Sequence, residues 1–288
     1  MTGTIQTPYF TIEPMAGALG ARVEGIDLSH PLDSGAISAL REAFRRYLVL
    51  AFPGQGHLTP EEQARFAAHW GALQKLPAMT IDADGNILEL KTGGDNDQRG
   101  ANRDIPEAQK LARPDIWHAD QTFEPCPPLG SFLLARSLPP VGGDTMWANQ
   151  YLAYETLSAP LRAMLDGLTA LHSGEGYYQV IGLDPADAPR NTHPVVVTHP
   201  ETGKRSLFVN RIWTRRIVGL SDAESGALLD FLYEHCVQPE FTFRHQWSEG
   251  DLVMWDNRCT LHYAINDYGR NLRIMHRATA IGRKPVSR

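Results

Sequence analysis

The chain has 288 residues, of which 42% are hydrophobic and 21% charged, and its formal net charge is −6. That is enough apolar material for one domain over residues 1–288, and no Pro/Gly/Ser linker, internal repeat or low-complexity tract divides it. Isolated basic pairs such as Arg45-Arg46 and Arg215-Arg216 do not make the clustered positive face that nucleic acid requires, and no apolar run reaches bilayer length, so neither partner is expected.

Ser34 to Tyr47 has helical spacing, with Ile37, Leu40, Phe44 and Tyr47 on one side. Leu48 to Phe52 reads as a strand ended by Pro53-Gly54. Thr59-Pro60-Glu61-Glu62 starts a second helix, with an N-cap, proline in the first turn and acids beside it, and this helix stops at Gly71. Residues 76–115 are rich in Asp, Asn, Gly, Arg and Pro, and a polar stretch this long is expected to be a lid over a site. From Trp117 onward β signals dominate: Ser131 to Ala135, Val195 to Thr198, Ser206 to Val209, Phe241 to Trp247, Asp251 to Trp255 and Arg273 to Ala280. Helical inserts are expected at about 150–168 and 221–235, the second opening on the capping box Ser221-Asp222-Ala223-Glu224. Many short strands with helices at the front and in inserts predict a mainly β fold, a jelly roll with helical decoration.

Cys126, Cys236 and Cys259 form no CxxC pair, so neither a disulfide framework nor a thiolate zinc site is suggested. Residues 1–14 lack a basic segment followed by an apolar one, and the expectation is a soluble, cytoplasmic protein.

The segment Trp117-His118-Ala119-Asp120-Gln121-Thr122-Phe123 places an imidazole and a carboxylate two residues apart, on one face if the segment is a strand. These are two of the three ligands of the facial triad in non-haem iron oxygenases. The same tripeptide also occurs as a surface strand end or a satisfied core pair. A third ligand would be a distant histidine, for which His262 competes with His172, His193, His199, His245 and His276. Arg273 and Arg277 share one face of a strand and could grip two anionic groups. The alternative is a solvent-facing basic stripe with Ile274, His276 and Ala278 turned inward. Arg273 starts 11 residues after His262, with Asp267-Tyr268-Gly269 as a turn between, and a hairpin there would return the arginines beside His262. Gly142-Gly143-Asp144-Thr145 reads as a hairpin turn or as a device that offers the Thr145 hydroxyl to a ligand.

In order along the chain, Trp117–Phe123, Gly142–Trp147 and the block WDNRCTLHYAINDYGRNLRIMHRATAIG resemble the taurine dioxygenase/2,4-D dioxygenase family of Fe(II)/2-oxoglutarate-dependent dioxygenases, over about residues 18–285. The resemblance implies a double-stranded β-helix. It implies Fe(2+) on His118, Asp120 and His262, with 2-oxoglutarate as co-substrate held by Thr145 and Arg273, and O2 as oxidant. It implies an anionic substrate end on Arg277, and a homodimer or homotetramer. Gln121 and Ile212, with Trp213, are further substrate-side candidates, and barrel packing is the competing role for Ile212 and Trp213. Trp117 and Trp255 read as core, and Asn257 and Arg258 as supports for the loop before His262.

The taurine branch carries a sulfonate-binding histidine after its second helix, whereas this chain has none between His69 and His118. The expected substrate is therefore a small organosulfonate or alkyl sulfate, or an aryloxyalkanoate, oxidised with succinate and CO2 as co-products. Asp120 argues against halogenation, because related halogenases lack that carboxylate. A cupin-like metal-binding protein without oxygenase activity, or a zinc hydrolase with the same ligands, are the readings of another class.

Overall fold

The structure is a computed structural model that describes residues 3–75, 80–93 and 115–287. Of the expected lid, 76–79 and 94–114 lie outside the described residues. Its remaining described part contains β5 (Leu88–Thr92).

Three short strands open the chain: β1 (Ile5–Gln6), β2 (Thr11–Pro14) and β3 (Ala21–Glu24). They are too short and too polar to show a clear period in the sequence. Helix α1 (Ser34–Tyr47) begins where the Asp33 carboxylate accepts the Ala36 N–H, and ends at Leu48, whose φ of 65° turns the chain into β4 (Val49–Phe52). Helix α2 (Pro60–Ala67) carries a full capping box between Thr59 and Glu62.

The large sheet runs in the order β1-β2-β3-β4-β14-β6-β16-β5, where β6 is Pro128–Ser137, β14 is Leu252–Asp256 and β16 is Arg273–Ile281. A smaller sheet, β13-β7-β15, is built from β13 (Thr242–His245), β7 (Thr145–Asn149) and β15 (Thr260–Ala264). Val49, Ala51, Leu133, Ala135, Val253, Trp255 and Met275 of the large sheet pack against Trp147 and Phe243 of the smaller one. The alternate residues Leu50, Phe52, Phe132, Leu134, Met254 and Ala278 pack on the other face against Phe44 of α1 and Phe66 of α2. Both faces of the large sheet are thus covered, which is why β4 and β14 read as unbroken apolar runs rather than alternating ones. This two-sheet sandwich is the jelly roll expected from the sequence.

The second half adds a sheet β12-β8-β9, made of β8 (Thr169–Ser173), β9 (Arg190–Pro194) and β12 (Thr214–Ile217), and the hairpin β10 (Val196–Thr198) to β11 (Arg205–Leu207). The insert expected at 150–168 is two short helices, α3 (Gln150–Glu155) and α4 (Ala159–Leu165). They are separated by Thr156 to Ser158, because Ser158-Ala159-Pro160 restarts the helix with proline in its first turn. Helix α5 (Glu175–Val180) was not apparent in the sequence, whereas α6 (Asp222–His235) follows its Ser221/Glu224 capping box.

Two local expectations are corrected. His118 and Asp120 do not lie in a regular strand: His118 makes one isolated antiparallel bridge with His262, and the chain then turns at Asp120, with Gln121 at φ 45°. Their side chains converge through this turn, not through a pleat. Nor do β15 and β16 form a hairpin. β15 pairs with β7, and β16 pairs with β6 and β5, so residues 265–272 cross from one sheet to the other. The arginines therefore face the site from the opposite wall. Among the described residues no helix is long and apolar enough to cross a membrane.

Candidate active site

His118, Asp120 and His262 converge between the two sheets, each about 7% exposed. Asp120 Oδ1 lies 3.9 Å from His118 Nε2 and 3.8 Å from His262 Nε2, and the three ligand atoms lie within 4.8 Å of one another. These separations are too long for hydrogen bonds and leave room for an ion between the groups. Two reciprocal backbone bonds tie the histidines together, His118 N–H to the His262 carbonyl at 3.0 Å and His262 N–H to the His118 carbonyl at 2.7 Å. His118 Nδ1 sits 2.7 Å from the Ile116 carbonyl, an acceptor only, so this nitrogen carries the proton and Nε2 keeps its lone pair toward Asp120.

Burial pushes His262 down to about 3, helped by the neighbouring His118 and Arg277 and opposed by Asp120. It also lowers His118, against the pull of Asp120. Burial alone would raise the Asp120 carboxyl, but His262, Arg277, His118 and the Ser131 hydroxyl together hold it well below the usual carboxylate range. The site is therefore two neutral imidazoles and one carboxylate at neutral pH, which can accept a divalent cation without first shedding protons. Two nitrogens and one oxygen from protein fit an iron(II) site with open positions.

Arg273 and Arg277 share the inward face of β16 with Met275, while on the other face Ala278 packs with the helices and His276 stands 3.6 Å from the Glu89 carboxylate of β5. The basic-stripe alternative thus fails for a reason invisible to periodicity: this strand is covered on both faces. Arg277 Nη1 lies 3.5 Å from Asp120 Oδ1. Arg273 is 7% exposed, burial lowers its pKa, and its Nε has no hydrogen-bond partner among the described residues. Its guanidinium carbon is 6.0 Å from the centre of the Trp247 ring. Gly143, at φ +77°, closes the other side, where a Cβ would come within 3.3 Å of Arg273 Cδ and Nε. Thr145 Oγ1 accepts the Trp247 indole N–H at 3.0 Å, which leaves its own proton for another acceptor.

Sequence reasoning missed Trp247. The alternation of Phe241 to Trp247 puts it on the same face as Phe243 and His245, but nothing local links it to Thr145. Gln121 holds Gln74, whose side-chain N–H donates to Gln121 Oε1 at 2.9 Å. Ile212 and Trp213 are buried with Phe123, and Ile116 and Tyr177, partly exposed, pack against them. The Trp213 indole donates to the Ala119 carbonyl at 2.9 Å, so this apolar cluster flanks the turn that carries Asp120.

A second His/Asp/Cys group, His199, Asp256 and Cys259, is already satisfied without an ion. The Glu201 and Thr202 N–H groups donate to His199 Nδ1, so its Nε2 donates to Asp256 Oδ2 at 3.1 Å. Arg258 grips the same carboxylate with two bonds, at 2.8 and 2.7 Å. Burial and the Asp256 charge push the Cys259 thiol well up, so it stays protonated. His172, His193, His245 and His276 are not part of the His118/Asp120/His262 group.

Residues 11–279 match the family described as "Taurine catabolism dioxygenase TauD, TfdA family". The chain belongs to this family. An alkylsulfatase of Acinetobacter baylyi is 38% identical, over 98% of this chain and 89% of that protein. An alpha-ketoglutarate-dependent sulfate ester dioxygenase of Pseudomonas putida is 36% identical, over 96% of this chain and 90% of that one. A crystal structure of a taurine dioxygenase from Burkholderia xenovorans superposes with a TM-score of 0.82 at 34% identity, covering 97% of this chain and 91% of that one. This family member is thus a 2-oxoglutarate-dependent dioxygenase, an oxidoreductase that uses Fe(II), 2-oxoglutarate and O2.

Proposed function

We propose that this dioxygenase oxidises a sulfate ester with an alkyl chain, releasing inorganic sulfate. The observation that carries this reading is Arg277, whose guanidinium stands 3.5 Å from the Asp120 oxygen that also faces both imidazoles, while an apolar cluster around Trp213 flanks the turn that carries Asp120. An anion on Arg277 would hold the carbon next to the sulfate within reach of the metal, while Ile116, Tyr177 and Ile212 favour an apolar chain. The names of the two curated relatives point to the same substrate class.

His118, Asp120 and His262 would hold iron(II). Arg273 pairs with the far carboxylate of 2-oxoglutarate, and the Thr145 hydroxyl donates to it, oriented by Trp247. The buried sheet-to-sheet interior excludes water from both anions and so strengthens their bonds to arginine. When bound, the metal supplies O2 activation coupled to decarboxylation of 2-oxoglutarate, so that one oxygen atom goes to succinate and the other into a substrate C–H bond. The hydroxylated carbon then bears both a hydroxyl and the sulfate oxygen. Its C–OSO3 bond breaks as the hydroxyl loses a proton, giving an aldehyde and sulfate. Residues 76–115 would act as the lid over this chamber; Thr92 in their described part pairs with Arg273.

The test is a panel of alkyl sulfates, sulfonates and aryloxyalkanoates, scored by succinate and by sulfate, sulfite or phenol release. Alkyl sulfates should give sulfate and succinate one to one. Arg277→Ala should reduce that turnover while 2-oxoglutarate binding persists. Phenol release alone would replace this substrate class with aryloxyalkanoates, and absence of succinate with every substrate would remove the enzyme reading.

A further inference from the structure

Resting on the metal role proposed for Asp120, we infer that Ser131 and Asn257 are positioning residues that hold Asp120 as a one-oxygen ligand. An aspartate carboxylate rotates over a broad range about its last torsion, so by itself it can offer one oxygen or two to an ion. Here that freedom is removed. Oδ2 accepts the Ser131 hydroxyl at 2.7 Å and the Asn257 amide N–H at 3.3 Å, which leaves Oδ1 facing the two imidazoles.

The clamp is itself fully determined. Asn257 Oδ1 accepts the Trp255 indole N–H at 3.1 Å and the Asp120 backbone N–H at 3.3 Å, and Asn257 Nδ2 also donates to Ser131 Oγ at 3.2 Å. Reversing the amide would set its NH2 against two N–H donors, so its orientation follows from the network. The single Ser131 proton then has one acceptor left, Asp120. Ser131 is fully buried and Asn257 is 3% exposed, so water does not substitute for these bonds.

The supports come from rigid parts of the fold. Ser131 lies inside β6, paired to Trp255 on one side and Thr279 on the other. Asn257 sits in the turn between β14 and β15, and its N–H donates to the Leu129 carbonyl at 2.9 Å. The neighbouring Asp256 is pinned by Arg258 and His199. The network thus ties the Asp120 turn to the centre of the large sheet. A second carboxylate oxygen on the metal would occupy a position that the chelating oxo-acid or O2 needs.

The experiment is anaerobic Co(II) titration of the wild type, Ser131→Ala, Asn257→Ala and Asp120→Ala, read by visible absorption of the bound ion, with melting temperature of the metal-free proteins alongside. Outer partners of metal ligands typically change affinity by about 10- to 100-fold. Ser131→Ala and Asn257→Ala should each weaken Co(II) by about tenfold or more and shift its absorption bands. A structural role alone would lower the melting temperature and leave the spectrum of the bound ion unchanged. Wild-type affinity with a superimposable spectrum in Ser131→Ala would overturn the inference, and this milder variant decides alone if Asn257→Ala does not fold. Should Asp120→Ala bind Co(II) as the wild type does, the metal reading itself fails, which separates the two claims.

Discussion

Replacing Arg273 with methionine separates a ligand-holding arginine from a structural one, because the two roles predict opposite effects on stability. The side chain is buried between Trp247 and Gly143, and no ion pair to it is found among the described residues. Removing one partner of a buried charge pair costs about 2–5 kcal/mol. At about 1.4 kcal/mol per tenfold, that weakens 2-oxoglutarate by about 30-fold to about 4,000-fold. Thr145 would still serve the same carboxylate, so the lower part of that range, roughly 30- to 300-fold, is expected. A monocarboxylic oxo-acid such as 2-oxobutyrate lacks the far carboxylate and should bind wild type and variant alike. Without ligand, Arg273→Met removes a cation that burial disfavours, so the melting temperature should hold or rise. The assay is anaerobic calorimetry with Mn(II) present, paired with thermal unfolding of the metal-free proteins. Unchanged 2-oxoglutarate affinity, or a melting temperature lowered by more than about 4 °C, roughly 2.4 kcal/mol in a chain of this size, would refute the assignment.

Saturating Mn(II), about 100 times its dissociation constant, should stabilise the folded protein by about 2.7 kcal/mol, and a chelator should reverse the gain. Asp120→Ala should abolish that shift in a thermal melt. The metal-free protein should also lose stability as pH falls below about 6.5. Burial holds His172 well below 6.5, and it lowers His193 and His276 too, so the unfolded chain takes up protons that the folded chain does not. Stability therefore rises with pH through this window and is complete above it. Urea unfolding between pH 5 and 8 measures the slope, and a midpoint that is flat or falls with pH would contradict it.

Much of the site could be read directly from the chain because its chemistry sits in short motifs. His118 and Asp120 lie two residues apart, and Arg273 and Arg277 share a strand face, so local geometry alone groups each pair. Helix starts at Thr59 and Ser221 were equally legible, since an N-cap acts within three residues, whereas the Asp33 cap emerged only in the structure. What the sequence could not rank was His262 against five other histidines without the family resemblance, or inward against outward arginines by periodicity.

Those choices belong to long-range packing. Trp247 reaches Thr145 across 102 residues, and Asn257 reaches Asp120 across 137. β16 has no exposed face because helices cover one side and the smaller sheet covers the other, so alternation carried no sign of which residues look inward. The amino-acid order by itself determined which groups could do chemistry. Only the tertiary structure decided which way they point, because a strand's period is local while the cover on each of its faces comes from elsewhere in the chain.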